Sequence, residues 1–189
     1  MQEIIAPIRE RRARRALDSR PVPPEVRDRI LEAATFAPSC FNNQPWRFLV
    51  LDDPEALSRA KEFLVGGNYW AERAPLIIGV VTRNDLDCRL DGGREYAFFG
   101  CGLAVENLLL QATAEGLIAH PIAGFKAPEM REAFDIDESF VLLTLIIVGY
   151  PGSGEHLSEK HRESEGGDRS RKPMGEVVFL NSWRVSSGG

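Results

Sequence analysis

Residues 96–115 constrain the fold more than any other stretch, because their apolar side chains keep one helical period throughout. The apolar positions are Phe98, Cys101, Val105, Leu108, Leu109 and Ala112. Gly116 follows them and is a natural C-terminal cap. A stripe this wide on a helix of about five turns predicts a central element, buried inside the domain or in a subunit contact.

Strand-like runs and shorter helical runs surround this helix. The strand predictions are Trp46–Leu51, Leu76–Val81, Ile118–Ile122 and Phe140–Val148. The other helix predictions cover residues 4 to about 15, 24–37, 54–64 and 129–134. A chain of 189 residues without an internal repeat indicates one domain over residues 1–189.

The last forty residues differ from the rest in composition. Residues 152–170 are rich in glycine, serine and charge, so we expect a loop or arm there. Residues 176–180 then return to a strand-like pattern. This strand has no local partner, so we expect it to pair with the sheet or with another chain.

Composition and termini favour a cytoplasmic protein. The chain opens Met1-Gln2-Glu3, with no cationic region before an apolar core, so we expect no signal peptide. The longest apolar run, residues 140–150, is too short to span a bilayer. Cys40, Cys88 and Cys101 stand far apart with no CxxC pair, which predicts no disulfide framework and a reducing compartment.

Charge is unevenly distributed along the chain. The net charge of −5 disfavours a general nucleic-acid binder. Residues 9–20 nevertheless hold six arginines and two acids, and residues 169–172 hold three cations. If the first segment is helical, Arg11 and Arg15 share a face and can hold a phosphate, with residues 169–172 adding to the site. An arginine-rich arm for nucleic acid is the alternative, which the acidic remainder disfavours.

Motifs for metal binding, nucleophilic catalysis and nucleotide binding are missing. There is no His/Cys cluster with ligand spacing, no G-x-S-x-G, no G-x-G-x-x-G after a strand and no P-loop. Residues 37–46 (APSCFNNQPW) are the most specific segment. Their amides and hydroxyls, set between prolines, suit a heterocycle rich in donors and acceptors, and Asx-turn chemistry is the alternative interpretation.

Together, six segments in order resemble the nitroreductase family of flavin mononucleotide (FMN) enzymes. They are RRARR at 11–15, APSCFNNQPW at 37–46, ENLLLQA with EGL across 106–117, PIAGF at 121–125, VGYP at 148–151 and RKP before EVV at 171–178. The resemblance spans about residues 8–180.

The resemblance implies an α+β fold, a three-layer α/β/α sandwich with a mostly antiparallel sheet. It also implies an obligate homodimer with FMN at the interface. The C-terminal extension, residues 171–189, would then dock on the partner subunit and exchange its strand, with residues 152–170 as an arm.

The resemblance also implies the residues that bind FMN. Arg11, Arg12 and Arg15 would bind the phosphate and the pyrimidine edge of the flavin, and Arg11 or Arg12 would stabilise the negative charge of the reduced ring. Arg169 and Arg171 would complete the phosphate site. The loop at 38–42 would reach the flavin from the other subunit, and the backbone N–H of Ala123 or Gly124 would face flavin N5. The full expected set is Arg11, Arg12, Ala13, Arg15, Pro38, Ser39, Cys40, Asn42, Gln44, Asn68, Pro121, Ile122, Ala123, Gly124, Arg169 and Arg171.

The implied activity is an FMN-dependent oxidoreductase. A hydride from NADH or NADPH would pass through FMN to a nitroaromatic, quinone or similar small acceptor in a ping-pong cycle. No catalytic side chain is expected, since FMN carries the redox step. Ala13, Cys40 and Ala123 depart from common family patterns, which bears on substrate preference. The alternatives are a dehalogenase or flavin-fragmenting enzyme with a lid near residues 84–96, and a non-catalytic flavin-binding or redox-sensing protein.

Overall fold

A four-stranded antiparallel sheet forms the centre of the molecule. The computed structural model describes residues 3–183. The strands are β1 (Arg47–Leu51), β2 (Leu76–Thr82), β3 (Arg89–Leu90), β4 (Arg94–Glu95), β5 (Ile118–Ile122) and β6 (Val141–Gly149). The central sheet has the order β1-β2-β6-β5, and every neighbouring pair is antiparallel. Strands β3 and β4 form a separate hairpin.

Helices lie on both faces of this sheet. They are α1 (Ala6–Glu10), α2 (Pro24–Thr35), α3 (Pro54–Lys61), α4 (Tyr96–Ala114), α5 (Ala127–Ala133), α6 (Glu159–Gly166) and α7 (Met174–Val177). Short 3-10 segments cover residues 40–42, 66–73 and 84–86. Proline at the start of α2, α3 and α5 suits the first helical turn, where no backbone N–H is needed.

The alternation of side chains along β2 explains the three layers. Leu76, Ile78 and Val80 pack into the core against α2 and α4. Ile77 and Val81 pack into the opposite core, with Trp70 and Met130. All seven residues of β2 are buried, because successive side chains point to opposite faces and both faces are covered. The predicted α+β fold with a mostly antiparallel sheet is confirmed.

Helix α4 occupies the central position that its apolar stripe predicts. Cys101, Ala104, Leu108 and Ala112 are fully buried against α2 and the sheet. Among the described residues it is the one helix whose length and composition would suffice to cross a membrane. Its buried face makes it the core helix of this fold.

The prediction of a helix to about Arg15 is wrong. Helix α1 ends at Glu10, and Arg11 already has an extended ψ of 125°. The chain then runs beside the end of β6, where the amide of Asp18 donates to the Tyr150 carbonyl over 2.8 Å. Burial of Leu17, which is 1% exposed, fixes this extended course. Tertiary packing therefore overrides the helical propensity of the arginine run.

The C-terminal region holds two helices that the sequence did not indicate. Residues 159–166 form helix α6, which has no buried residue, inside the segment expected to be a loop or arm, with Ser158 capping the amide of His161. Residues 174–177 form the short helix α7 in place of the predicted strand over 176–180. A strand needs a neighbouring strand, and the described chain offers none there. Residues 184–189 of the expected C-terminal extension lie outside the described residues.

Candidate functional site

The N-terminal arginines lie on an extended segment held against the end of the sheet. Leu17 bridges to Pro151, and the amide of Gly152 donates to the carbonyl of Ala16 over 2.7 Å. A Cβ atom on Gly152 would lie 2.7 Å from the Leu17 backbone, so only glycine permits this approach. The basic residues that precede Leu17 are thereby fixed beside β5 and β6.

The structure brings the two basic segments together. They line one cavity of about 240 Å³, which we call the arginine cavity. Its lining residues are Arg11, Arg12, Ala13, Arg14, Ser164, Glu165, Gly167, Asp168, Arg169 and Arg171. Five arginines and two acids, Glu165 and Asp168, line this one cavity, which gives it a net positive charge suited to a phosphate.

Hydrogen bonds across the arginine cavity hold its two sides together. Arg169 donates from Nη1 to the carbonyl oxygens of Ile8 and Arg11, each over 3.2 Å. Arg12 donates from Nη2 to the carbonyl of Gly167 over 2.6 Å. Each side therefore orders the backbone of the other, although about 155 residues separate them along the chain.

Arg15 does not line the arginine cavity, and its contact with FMN stays a prediction. Its guanidinium lies 6.0 Å from the ring centre of Trp70, and its backbone N–H donates to Glu165 over 2.6 Å. The proposed phosphate grip by Arg11 and Arg15 on one helical face is wrong, because the segment is extended. Arg14 takes its place in the cavity.

His120 couples strand β5 to the arginine segment. The side chain is 8% exposed, stacks on Trp70 with ring centres 4.7 Å apart, and donates from Nδ1 to the Arg14 carbonyl over 3.0 Å. Burial, with a smaller contribution from the charges of Arg15 and Arg11, lowers the pKa of His120 to about 4. The imidazole is therefore neutral near pH 7, with its proton on Nδ1.

Asn68 and Gly124 form a close pair beyond the end of β5. Asn68 donates from Nδ2 to the Gly124 carbonyl over 2.9 Å, and the amide of Val65 donates to the same oxygen over 3.2 Å. A Cβ atom at Gly124 would lie 2.5 Å from Asn68 Nδ2. The adjacent Ala123 is exposed and Ile122 is buried in the core, so Ile122 offers only its backbone here.

The 38–46 loop has an unusual backbone. Phe41, Asn42 and Gln44 have φ angles of 48°, 60° and 50°, in the left-handed region that non-glycine residues seldom adopt. The Ser39 hydroxyl accepts from the Gln44 amide over 2.9 Å and closes the turn. Phe41 is left 92% exposed. Backbone strain of this kind concentrates at functional sites.

A disulfide joins Cys40 to Cys88, against the prediction of no disulfide framework. Their Cα atoms are 6.1 Å apart, within the range a disulfide needs. The sequence gives no sign of this pair, because 48 residues separate the two cysteines and only the folded loops bring them together. Cys101 is free and buried. Cys40, Cys88 and Asp87 could also group around a metal ion, but the disulfide removes both thiolates.

An apolar cleft of about 220 Å³ lies beside the disulfide. Its lining residues are Pro38, Ser39, Cys40, Asp87, Tyr96, Phe99, Gly100 and Leu103. It shares no lining residue with the arginine cavity. The two cavities thus divide the expected site residues that line them: Pro38, Ser39 and Cys40 belong to the cleft, and the arginines belong to the arginine cavity, whereas Asn68 and Gly124 line neither.

Several residues of these sites were not predicted. Glu165 and Asp87 had no distinguishing signal, because each gains its place only from the tertiary fold. His120 and Trp70 likewise have no local signal, because their rings stack only in the folded chain. Arg14, by contrast, lies within the RRARR segment at 11–15, so the sequence does indicate it as a candidate phosphate-binding residue.

The fold and the arginine cavity define the class: an α+β protein with an antiparallel sheet between helical layers and a cluster of arginines at one end of the sheet. The sequence matches the Nitroreductase family over residues 8–68 and 57–150. The chain therefore belongs to the nitroreductase family.

Known relatives carry different activities. Iodotyrosine deiodinase 1 of Rattus norvegicus is 38% identical over 192 residues, covering 86% of this chain and 67% of the relative. An FMN reductase (NAD(P)H) of Bacillus subtilis is 26% identical over 167 residues, covering 80% of this chain and 67% of the relative. A solved structure described as an oxidoreductase containing FMN has a TM-score of 0.85 and 28% identity, covering 97% of this chain and 94% of that one.

Proposed function

We propose that this chain is an FMN-dependent oxidoreductase that works as a homodimer. FMN, when bound, would accept a hydride from NADH or NADPH and pass reducing equivalents to a nitroaromatic, quinone or similar small acceptor in a ping-pong cycle. The observation that carries the proposal is the arginine cavity, in which two distant basic segments meet. Relatives named as an FMN reductase and an oxidoreductase containing FMN support the choice of cofactor.

The arginine cavity fits the phosphate end of FMN. Arg11, Arg12 and Arg171 line it, and a near-dianionic phosphate would offset their mutual repulsion. Arg169 has a second task, since its bonds to the carbonyls of Ile8 and Arg11 hold the backbone in place. The size of the cavity suits a phosphate group rather than a whole flavin, so the ring must lie outside it.

The Asn68–Gly124 pair fits the flavin ring. The close approach leaves no room for a side chain at position 124, which keeps the backbone beside Ala123 open to a flat ligand. Asn68 fixes the Gly124 carbonyl, so the neighbouring amides have a defined direction. We propose that the Ala123 or Gly124 amide donates a hydrogen bond to flavin N5, with Pro121 and Ile122 contributing backbone contacts.

The division of the predicted site into two groups supports a dimeric site. Pro38, Ser39 and Cys40 line a cleft apart from the arginine cavity, so a second chain would have to bring such a loop to the flavin. Exposed apolar side chains on the loop, α4 and the C-terminal segment have no cover within the described chain. They include Phe41, Phe99, Met174, Val177, Leu180 and Trp183. A homodimer with an exchanged C-terminal segment would bury them.

Reductive dehalogenation is the second candidate. The rat deiodinase has higher identity to this chain than the Bacillus subtilis FMN reductase, at 38% against 26%. The hairpin of β3 and β4 lies within the expected lid, and its two arginines are balanced by Asp91 and Glu95, with Arg89 paired to Glu95 over 3.6 Å.

The absorption spectrum of the purified protein tests the main proposal. We expect a yellow protein that releases FMN on denaturation, and bleaching of the flavin band when NADH or NADPH is added without oxygen. A colourless protein that cannot be reconstituted with FMN would refute cofactor binding. Full FMN occupancy without bleaching by either nucleotide would favour a non-catalytic flavin-binding or redox-sensing protein. A parallel assay of nitroaromatic, quinone and iodotyrosine reduction separates the candidates.

The proposed location is the cytoplasm, where NADH and NADPH are supplied. Cytoplasmic disulfides are uncommon and usually transient, catalytic or redox-sensing. The Cys40–Cys88 bond therefore bears directly on how such an enzyme would behave in its compartment.

A further inference from the structure

The Cys40–Cys88 disulfide ties two loops together rather than two elements of the core. Cys40 opens the 3-10 turn of the 38–46 loop, and Cys88 directly precedes β3. Both residues are half-buried, so neither is sealed inside the molecule. Opening the bond would therefore leave both hydrophobic cores intact.

A buried carboxylate beside the disulfide lacks a hydrogen-bond partner. Asp87 is 7% exposed, and its Oδ1 accepts from Asn43 Nδ2 over 3.1 Å and from the Cys88 amide over 2.8 Å. Its Oδ2 is buried with no partner among the described residues. A carboxylate oxygen of Asp87 lies within 4.8 Å of both sulfur atoms. Unpaired buried oxygens are rare in native structures, and a redox or catalytic role is one of the explanations for them.

Reduction of the disulfide would supply the missing donor. A disulfide has no S–H, whereas each reduced cysteine has one that can donate to a carboxylate. Reduction would therefore place two S–H donors close to the Asp87 carboxylate, which has one oxygen without a partner among the described residues. A buried oxygen without a hydrogen bond destabilises the oxidised protein. Reduction would relieve that penalty, which lowers the free-energy cost of opening the disulfide.

The strained loop favours opening as well. Left-handed φ angles occur close to Cys40, at Phe41, Asn42 and Gln44. The disulfide therefore holds the loop in a backbone conformation that these residues disfavour. Once Cys40 is free, these residues can return to ordinary backbone regions.

We propose that Cys40 and Cys88 form a redox-active disulfide that exchanges with dithiol reductants, and that its reduction releases the 38–46 loop. A thiolate of the dithiol attacks one sulfur, forms a mixed disulfide and displaces the other cysteine, which takes up a proton. The second thiol of the reductant then attacks the mixed disulfide and releases the remaining cysteine as a thiol. The protein gains two electrons and two protons, and the reductant becomes a disulfide.

The consequence for ligand binding rests on the proposed function. Pro38, Ser39, Cys40 and Asn42 are the residues expected to reach the flavin, so release of their loop weakens FMN binding. The fraction of enzyme that carries FMN would then depend on how reducing the thiols of its compartment are.

Counting thiols by mass spectrometry tests the exchange. The purified protein, with whatever flavin it carries, is treated with dithiothreitol under native conditions, quenched with acid and alkylated in denaturant. In a Cys101→Ala variant we expect the alkylated thiols to rise from none to two, and in the wild type from one to three. Two thiols in the untreated, air-exposed variant, or none after dithiothreitol, would overturn the proposal. The count does not depend on FMN, so it decides the matter even if FMN binding fails.

Chymotrypsin cleavage after Phe41 tests the release of the loop. We expect reduction to raise the cleavage rate about tenfold, because the disulfide no longer limits local opening of the 38–46 loop. The double variant Cys40→Ser with Cys88→Ser should be cleaved at the fast rate with or without dithiothreitol. Cleavage after the exposed Trp183 is the internal control and should not change. Equal rates after Phe41 for the oxidised protein and the double variant would show that the disulfide does not hold the loop.

Discussion

His120 donates a hydrogen bond from Nδ1 to the carbonyl oxygen of Arg14 over 3.0 Å, and so fastens the arginine segment to strand β5. The bond joins residues 106 positions apart at a buried site next to Trp70. Nδ1 keeps its proton in both protonation states, so acid acts here through the cost of burying a charged imidazole rather than through loss of this bond.

Stability should fall in acid through His120. Its pKa is about 4 in the folded protein and 6.5 as a free side chain, so below pH 6.5 the unfolded chain binds the proton more readily. The contribution of His120 to the free energy of unfolding is complete above pH 6.5. It declines as the pH falls and levels off below pH 4, and the total loss is up to about 3 kcal/mol. Urea midpoints at pH 7.5 and about 4.5 measure it.

A His120→Asn variant isolates this contribution from other titrating groups. Its amide can donate to Arg14 in place of Nδ1 but does not titrate. The variant should lose less stability than the wild type between the two pH values. An equal loss in both proteins would mean that His120 is not the responsible group.

The hydrophobic layers could be predicted from the sequence, whereas the site geometry could not. Strand β5 has the predicted bounds, since apolar residues that cover both faces of a sheet leave a local signal. The course of Arg11–Arg15 is set by burial of Leu17 against β6, which no local pattern reveals. The pairing of Cys40 with Cys88 is likewise a product of two loops that meet only after folding.

Removing an arginine from the cavity should weaken FMN binding. Arg12→Ala and Arg169→Ala each lose a charged hydrogen-bond donor, which predicts about a 10- to 100-fold rise in Kd for FMN. Arg169→Ala should be the more damaging, since it also frees the backbone at Ile8 and Arg11. Quenching of flavin fluorescence by the apoprotein measures the affinity.

Riboflavin and a distant arginine provide the controls for that experiment. Riboflavin lacks the phosphate, so its affinity should fall much less than that of FMN in Arg12→Ala. Arg59→Ala removes a cation on α3, where Arg59 faces Phe134 away from the cavity, and should leave FMN binding as it is. Equal losses for FMN and riboflavin would place the phosphate elsewhere.

A methyl group at Gly124 should disturb the proposed ring site. In Gly124→Ala the new Cβ would lie 2.5 Å from Asn68 Nδ2, so Asn68 must turn away and lose its bond to the Gly124 carbonyl. We expect a loss of about 1 kcal/mol in unfolding free energy and a shifted flavin spectrum. Adding Asn68→Ala removes the clash and should restore part of the stability. Gly67→Ala, which meets nothing within 4 Å, is the control.

Neutralising Glu165 should strengthen the binding of a phosphorylated ligand. Glu165 lines the arginine cavity and would repel a phosphate there. In Glu165→Gln the side-chain carbonyl can still accept from the Arg15 amide, so the fold is kept. We expect about a threefold lower Kd for FMN at low ionic strength and little difference at about 1 M salt. Glu163→Gln alters the same helix outside the cavity, and a matching gain there would point to a long-range charge effect.

Deleting the C-terminal segment should dissociate the proposed dimer. Met174, Leu180 and Trp183 are 72%, 82% and 79% exposed on the described chain, an arrangement that costs free energy unless another surface covers them. A chain ending at Lys172 should elute as a monomer in size exclusion with light scattering, and its Kd for FMN should rise because half of each site is lost. Trp183→Ala should weaken the dimer by a smaller amount, since it removes one apolar contact, whereas Glu176→Ala on the same segment should not. A truncated chain that stays dimeric and keeps FMN would place the subunit contact on the 38–46 loop and α4, where Phe41 is 92% and Phe99 62% exposed.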